Sequence, residues 1–263
     1  MAVDMGVLPR TTAAISAAGA LLLLAVVGST VGGSSEPELG AVTSSANAVA
    51  AEPVQLRTSD ATTLTRPVFT GPTASTSRVV YLTYDDGPSR YTPKILDLLK
   101  AYRANATFFV VGSQVRTREA TLRRIRNDGH LVGNHSWNHP LLTRLSPAQV
   151  RSQFRRTDAA ITAQGLPQPR CERPPYGGFN TLVRRISTQR RQSMIIWTID
   201  TRDWALPGAR VIVRRTLGNV RNGSIVLMHD GGGDRRQTVA ATRAILRGLH
   251  DRGYTIASLP MCR

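Results

Sequence analysis

Cysteine is nearly absent from this 263-residue chain, and aromatic side chains make up only 5% of it. Two cysteines, Cys171 and Cys262, exclude a disulfide-rich scaffold. They also exclude a thiolate zinc site, which needs closely spaced Cys ligands. With so few aromatics, the core must rely on Val, Ile, Leu and Ala. Acidic residues are few as well: 17 Asp and Glu stand against 34 basic residues, a net charge of +17. Lysine occurs only at Lys94 and Lys100, so the rest of the positive charge is arginine. So basic a chain raises nucleic acid as a partner. Yet the arginines are scattered, in pairs such as Arg123-Arg124, Arg155-Arg156 and Arg190-Arg191, and no basic block is interleaved with aromatics. That distribution disfavours nucleic acid and suits contact with anionic cell-wall polymers; genome composition is the bland source of an arginine bias. Hydrophobic residues at 41% exclude a wholly disordered chain and suffice for one sizeable core.

Long apolar runs are missing with one exception. Ala13 to Val27 is uncharged and follows Arg10, the pattern of a secretory h-region. It lies at the short end of the ~17–25 residues that span a bilayer. The Ala-x-Ala sites at Ala46-Asn47-Ala48 and Ala48-Val49-Ala50 fall far downstream of it. An uncleaved anchor, extended by Gly28–Gly33, is therefore the alternative to cleavage. Either way the rest of the chain is exported. It is then secreted, or held on the outer face of the cytoplasmic membrane by residues near 13–31. Residues 1–33 are thus expected to be a signal peptide or N-terminal membrane anchor. Residues 34–77, rich in Ser, Thr, Gly, Ala and Pro, read as a disordered linker. Residues 78–263 read as one folded domain, expected to be a monomer.

Within that domain, short β-branched runs alternate with helical patterns. Val79–Thr83, Ala106–Val111, Met194–Ile199, Ile225–Met228 and Tyr254–Ala257 read as strands. Pro93–Arg103 reads as a helix with Thr92 as N-cap, and Thr117–Asp128, Gly208–Val220 and Thr238–Arg252 also have helical spacing. Ser146–Gln164 opens with Ser146 at N-cap and Pro147 at N1. The alternation implies a parallel sheet covered by helices. Asp85-Asp86, His135, Asp200 and His229 all fall just past strand ends. In parallel α/β folds those ends converge on one face, where active sites form.

Taken singly, each polar cluster has an ordinary explanation. Asp85-Asp86-Gly87-Pro88 is first of all a turn signal. If the chain leaves the strand at Gly87, however, both carboxylates reach one cavity, one for a metal and one free as a base. His135 and His139 at i and i+4 share a face on a helical turn, which is ligand spacing, although such pairs are as often incidental. Asp86 would complete three protein ligands with open positions, the mark of a catalytic metal. Two imidazoles and one carboxylate favour zinc, with cobalt second, over calcium. Arg173-Pro174-Pro175-Tyr176-Gly177 is stiff enough to hold Arg173 on a carboxylate and offer the Tyr176 N–H to an oxyanion. Asp200-Thr201-Arg202-Asp203-Trp204 adds carboxylates and an indole wall. His130 and His250 read as structural or surface histidines.

Jointly the clusters say more. TYDDGP (83–88), GHLVGNHSWNHP (129–140), RPPYG (173–177), DTRDW (200–204) and IVLMHDGGG (225–233) resemble, in order, the five motifs of the polysaccharide deacetylases. These are the NodB-homology domains of carbohydrate esterase family 4. The resemblance covers roughly residues 78–257. It implies a distorted (β/α) barrel with fewer than eight regular units. It implies a divalent metal on Asp86, His135 and His139, with Asp85 as general base tethered by Arg173. It further implies His229 as general acid tuned by Asp203, Tyr176 N–H in the oxyanion hole, and Trp204 and Leu227 walling the acetyl pocket. Tyr84 replaces the more usual Phe, but its side chain should point off the catalytic face. Asp203 is favoured over Asp200 as the partner of His229.

The implied reaction is metal-dependent removal of acetyl groups from a polysaccharide, with N-acetylglucosamine in peptidoglycan or chitin-like chains as the first choice. Water activated by the metal is the nucleophile. O-acetyl esterase action on xylan is the alternative within the enzyme class. A glycan-binding module that no longer cleaves is the alternative outside it, opposed by the presence of every ligand and both acid-base groups. Export favours a disulfide between Cys171 and Cys262 over two buried thiols.

Overall fold

The computed structural model describes residues 63–73 and 76–263. The apolar N-terminal run and most of the expected linker lie outside the described residues. Among those described, no helix is long and apolar enough to cross a membrane.

Eight strands form one sheet: β1 (Arg78–Asp85), β2 (Thr107–Val110), β3 (Leu131–Asn134), β4 (Cys171–Glu172), β5 (Ser193–Met194), β6 (Ile199–Asp200), β7 (Ser224–His229) and β8 (Tyr254–Ile256). Their order is β5-β4-β3-β2-β1-β7-β6, with β8 paired to the start of β1. Every strand pair is parallel. The helices are α1 (Thr92–Ala101), α2 (Gly112–Val115), α3 (Glu119–Asn127), α4 (Pro147–Thr162), α5 (Thr181–Gln189), α6 (Ala209–Leu217) and α7 (Arg236–His250). The sheet curls into a distorted (β/α) barrel, as the motifs implied.

Strand alternation decides what each face carries. Along β1, Val80, Leu82 and Tyr84 join the large apolar cluster under the helices. Val79 and Tyr81 turn the other way, into a smaller cluster with Phe109, Cys171, Ile195 and Ile225. Thr83 and Asp85 share the parity of that second set. On β7, Val226 and Met228 face the helices while Ile225 faces inward, so His229 continues the inner row. Tyr84 is fully buried, stacked on Phe108 and hydrogen-bonded to Thr242, on the face opposite Asp85, as expected.

The run Met194–Ile199 is not one strand. Ser193–Met194 pairs with β4 at one edge of the sheet and Ile199–Asp200 with β7 at the other. Residues 195–198 cross the seam between the edges. Upstream residues stitch that seam: Val68 pairs with Ile195 and Thr70 with Ser224. The Val68 N–H donates to Met194 O, and Gly71 N–H to Gly223 O. A Cβ at Gly71 would strike the Tyr81 ring at 2.1 Å, so the approach needs glycine. The sequence reading started the folded domain at Arg78. The structure adds residues 63–73, because open strand edges at the seam need backbone partners.

Two helix details also differ from the pattern reading. Tyr91, not Thr92, holds the N-cap position of α1, without a side-chain cap. The Thr92 hydroxyl goes instead to Asp230 Oδ2 at 2.5 Å. Helix α5 was not read from the sequence, although Asn180 caps it by accepting from Val183 N–H. The Ser146 cap on α4 is present as a full capping box with Gln149.

Cys171 and Cys262 form a disulfide across 91 residues, with Cα atoms 4.8 Å apart. The bridge pins the C-terminal tail to the inner cluster two residues before Arg173. Cys171→Ser should lower stability by about 2–4 kcal/mol through the freed chain entropy of the unfolded state. Urea unfolding of the oxidised wild type and the variant measures this. Coincident midpoints would show that the bridge contributes nothing.

Candidate active site

At the C-terminal ends of the strands lies a cavity of about 700 Å³. Asp85, Asp86, His135, His139, His229 and the pair Trp204 and Tyr176 line it, with Leu227 at its base. Arg173 and Asp203 do not reach the cavity. Each stands behind a residue that does.

Asp85 is the last residue of β1 and is register partner to His229 on β7. Being inner-face neighbours, they meet across the same wall of the cavity. The Asp85 carboxylate is buried and accepts from Arg173 Nη1 at 2.8 Å. The same nitrogen donates to the Thr83 hydroxyl at 2.8 Å, while Nη2 and Nε reach Ile196 O at 2.9 Å and Ile195 O at 3.3 Å. Arg173 is wholly buried, with its guanidinium over the Phe109 ring. Burial pushes the Asp85 carboxyl up, and the charge of Arg173 opposes it.

Asp86 departs from the strand at φ 73°, a left-handed conformation. Its Oδ1 lies 3.5 Å from His135 Nε2 and 3.3 Å from His139 Nε2. The three candidate ligand atoms of Asp86, His135 and His139 lie within 4.8 Å of one another. The histidine pair is not on a helical turn. It sits on an irregular loop after β3 in which Ser136 and His139 both take positive φ, 65° and 63°. Those turns bring the rings to 5.0 Å between centroids. The Asn134 side chain holds the loop, accepting from Ser136 N–H at 2.8 Å and donating to Asp158 at 2.7 Å. Asp158 in turn pairs with Arg190, which also bridges to buried Glu172 at 2.7 Å. Nothing in the sequence marks Asn134, Asp158, Glu172 and Arg190 as one network, since they lie far apart along the chain.

His135 Nδ1 lies 2.7 Å from Arg173 O. A carbonyl can only accept, so Nδ1 carries the proton and Nε2 presents its lone pair to the cluster. Burial, only partly opposed by the Asp86 carboxylate, lowers the His135 pKa to about 3. It is therefore neutral at neutral pH, as a metal ligand must be. Asp86 Oδ1 is buried and has no hydrogen-bond partner among the described residues. An orphaned carboxylate oxygen facing two imidazoles, one of them fixed in the ligating tautomer, fits a divalent cation.

Opposite, His229 Nδ1 lies 2.7 Å from Asp203 Oδ1, and His229 N–H donates to Asp203 Oδ2 at 2.9 Å. The Thr238 hydroxyl donates to the same oxygen at 2.6 Å. Asp203 is thus the partner of His229, while Asp200 accepts from Arg202 N–H at 2.8 Å and lines the cavity. Burial works against charging His229, but Asp203, Asp85 and Asp86 outweigh it and raise its pKa. Tyr176 has φ 60° and a largely exposed ring edge-on to His139. Trp204 also lines the cavity and is half exposed.

His130 and His250 play no part here. The first is buried and accepts from Ala106 N–H, and the second is exposed on α7. The motif reading missed Asp230 and Arg235. Both belong to the glycine-rich segment after His229, whose composition was visible but not its packing.

A family model described as polysaccharide deacetylase matches residues 73–193. A chitooligosaccharide deacetylase of Bradyrhizobium sp. (strain ANU 289) is 40% identical over 200 residues, covering 71% of this chain and 91% of the relative. A peptidoglycan-N-acetylglucosamine deacetylase of Bacillus cereus is 36% identical over 185 residues, covering 69% and 86%. Among solved structures, a peptidoglycan N-acetylglucosamine deacetylase superposes with a TM-score of 0.71 at 34% identity, covering 75% of this chain and 92% of that one.

Replacing the carboxylate of Asp203 by an amide removes the charge that favours imidazolium. In Asp203→Asn, His229 should titrate at lower pH than in the wild type, as followed by NMR of its ring. An unshifted titration would show that Asp203 does not set the proton affinity of His229.

Proposed function

The chain belongs to the polysaccharide deacetylase family, and on that premise we propose that it removes N-acetyl groups from N-acetylglucosamine units of a peptidoglycan- or chitin-type glycan. The chemistry of the relatives' named substrates supports the choice of N-acetyl. The observation that carries the reading is the pairing of two opposed groups on neighbouring strands. Asp85 is held by a buried arginine on one side, and His229 by a buried aspartate on the other.

Asp86, His135 and His139 would hold the metal, and their donor set favours zinc, with cobalt next. Bound there, zinc lowers the pKa of a water and polarises the acetyl carbonyl. Asp85 takes the proton from the attacking water. Burial raises the Asp85 pKa, and the charge and hydrogen bond of Arg173 oppose that rise, favouring the carboxylate that acts as base. His229 gives its proton to the nitrogen as the C–N bond breaks, leaving acetate and a free amine. Asp203 stabilises the imidazolium until then. The Tyr176 N–H donates to the developing oxyanion. Trp204 and Leu227 enclose the acetyl methyl, and the exposed Tyr176 and Trp204 rings give the sugar apolar faces to lie against. The enzyme acts outside the cytoplasmic membrane, where its arginine-rich surface suits anionic wall polymers.

Acetate release from N-acetylglucosamine oligomers and from acetylated xylan tests the substrate. A clear preference for xylan would replace the amide reading. Chelation should abolish turnover and added zinc restore it; full activity in metal-free protein would sink the metal reading.

Asp85→Asn should lower kcat by about 10²–10⁴-fold while retaining metal. His135→Ala should lose both metal and activity. If Asp85→Asn instead strips the metal and Asp86→Asn keeps it, the two carboxylates have exchanged roles.

A further inference from the structure

Arg235 is 4% exposed, yet it has no carboxylate within ion-pair distance among the described residues. Its neighbour Asp234 pairs with Arg236 instead. Arg235 also occupies the N-cap position of α7, whose first turn contains no acid. A cation there opposes the helix dipole. Burying an unpaired guanidinium at a helix N-terminus is costly, so its remaining contacts must account for it.

Those contacts are backbone carbonyls of one short loop. Nε donates to Gly231 O at 2.6 Å and Nη2 to Gly232 O at 3.0 Å. A third, longer bond reaches Asp234 O at 3.4 Å. The guanidinium therefore fixes the orientation of two successive peptide groups that glycine would otherwise leave free.

The same glycines press on Asp86. A Cβ at Gly231 would lie 2.1 Å from Asp86 O, and one at Gly232 would lie 2.4 Å from Asp86 Oδ2. Gly232 also has φ +70°. Asp86 thus has one carboxylate oxygen turned to the imidazoles and the other backed by the loop that Arg235 clamps. Asp230 anchors the start of that loop, donating its N–H to Asp85 O at 3.0 Å and accepting from Thr92.

We propose that Arg235 is a positioning residue for the metal ligand Asp86, acting through the Gly231-Gly232 loop that lies between them. The inference rests on the reading of Asp86 as a ligand. Its consequence is in metal affinity, because a carboxylate free to rotate gives up the preorganisation that tight binding needs. Arg235 lines the same cavity, but its hydrogen bonds go to the loop carbonyls and none to the acid-base pair or the triad.

Zinc affinity of the full chain, measured by competition with a chromophoric chelator, tests the proposal. Arg235→Met keeps the apolar bulk and removes the donors; it should weaken zinc binding at least about tenfold. Arg235→Lys, which still donates to the carbonyls, should recover part of the loss. Gly232→Ala, which pushes on Asp86 Oδ2, should weaken binding by itself, and with Arg235→Lys it decides the matter if Arg235→Met does not fold. A lower thermal midpoint in Arg235→Met with wild-type zinc affinity would overturn the proposal. So would wild-type affinity in both Arg235→Lys and Gly232→Ala. If the wild type itself binds no zinc, the metal reading fails, and this inference falls with it for that separate reason.

Discussion

The buried guanidinium of Arg173 is the constraint on which the site depends. Its side chain holds Asp85, and its backbone carbonyl fixes the tautomer of His135. One residue therefore sets the proposed base and a proposed metal ligand against each other in space. The arrangement needs the charge pair: removing one partner of a buried ion pair costs about 3–5 kcal/mol, because the other is left charged without water. It also needs the barrel. Thr83, Ile195 and Ile196, which share the guanidinium with Asp85, come from β1 and from the run that crosses the seam. The stitch at Val68 and the bridge at Cys171 lie on either side of that run. Features far from the chemistry thus bear on whether Arg173 can stay buried and paired.

The two halves of the site are built by different means. The proposed acid, His229, and the proposed base, Asp85, come from regular strands, where parity and register place them without strain. The candidate metal triad comes from positions where the backbone leaves regular structure. Asp86, His139 and the intervening Ser136 all have positive φ, as does Tyr176 beside them. Such conformations cost on the order of 1–3 kcal/mol each in non-glycine residues. They persist because surrounding hydrogen bonds overdetermine them: Asn134 with Asp158 and Gln153 under the histidine loop, and the glycine loop against Asp86.

Much of this was legible in the sequence for physical reasons. β-branched runs and helical spacing give the alternation of a parallel sheet, and polar residues just past the strands mark its working face. Adjacent aspartates, the histidine pair and the strand-end histidine were each weak signals alone, and their order along the chain gave them meaning. Other features left no local trace. Helix α5 has an Asn cap, but its short amphipathic pattern is split by arginines. The Met194–Ile199 run reads as one strand because periodicity records apolarity and not which edge of a sheet a residue joins. Residues 63–73 look like linker because most of their hydrogen bonds are made through their own backbone groups, which any sequence possesses.

What the sequence by itself determined is the chemistry available: which carboxylates, imidazoles and guanidinium exist, and which of them stand at strand ends. Strand alternation is a local rule, so it also put Asp85 on the inner face and Tyr84 on the outer. Only the tertiary structure decided which of Asp200 and Asp203 meets His229, since both lie within a few residues of the same strand end. It alone joined the two histidines through left-handed turns and set Arg235 behind Asp86. Each of these contacts depends on how distant segments close around a common centre, and spacing along the chain does not record that closure.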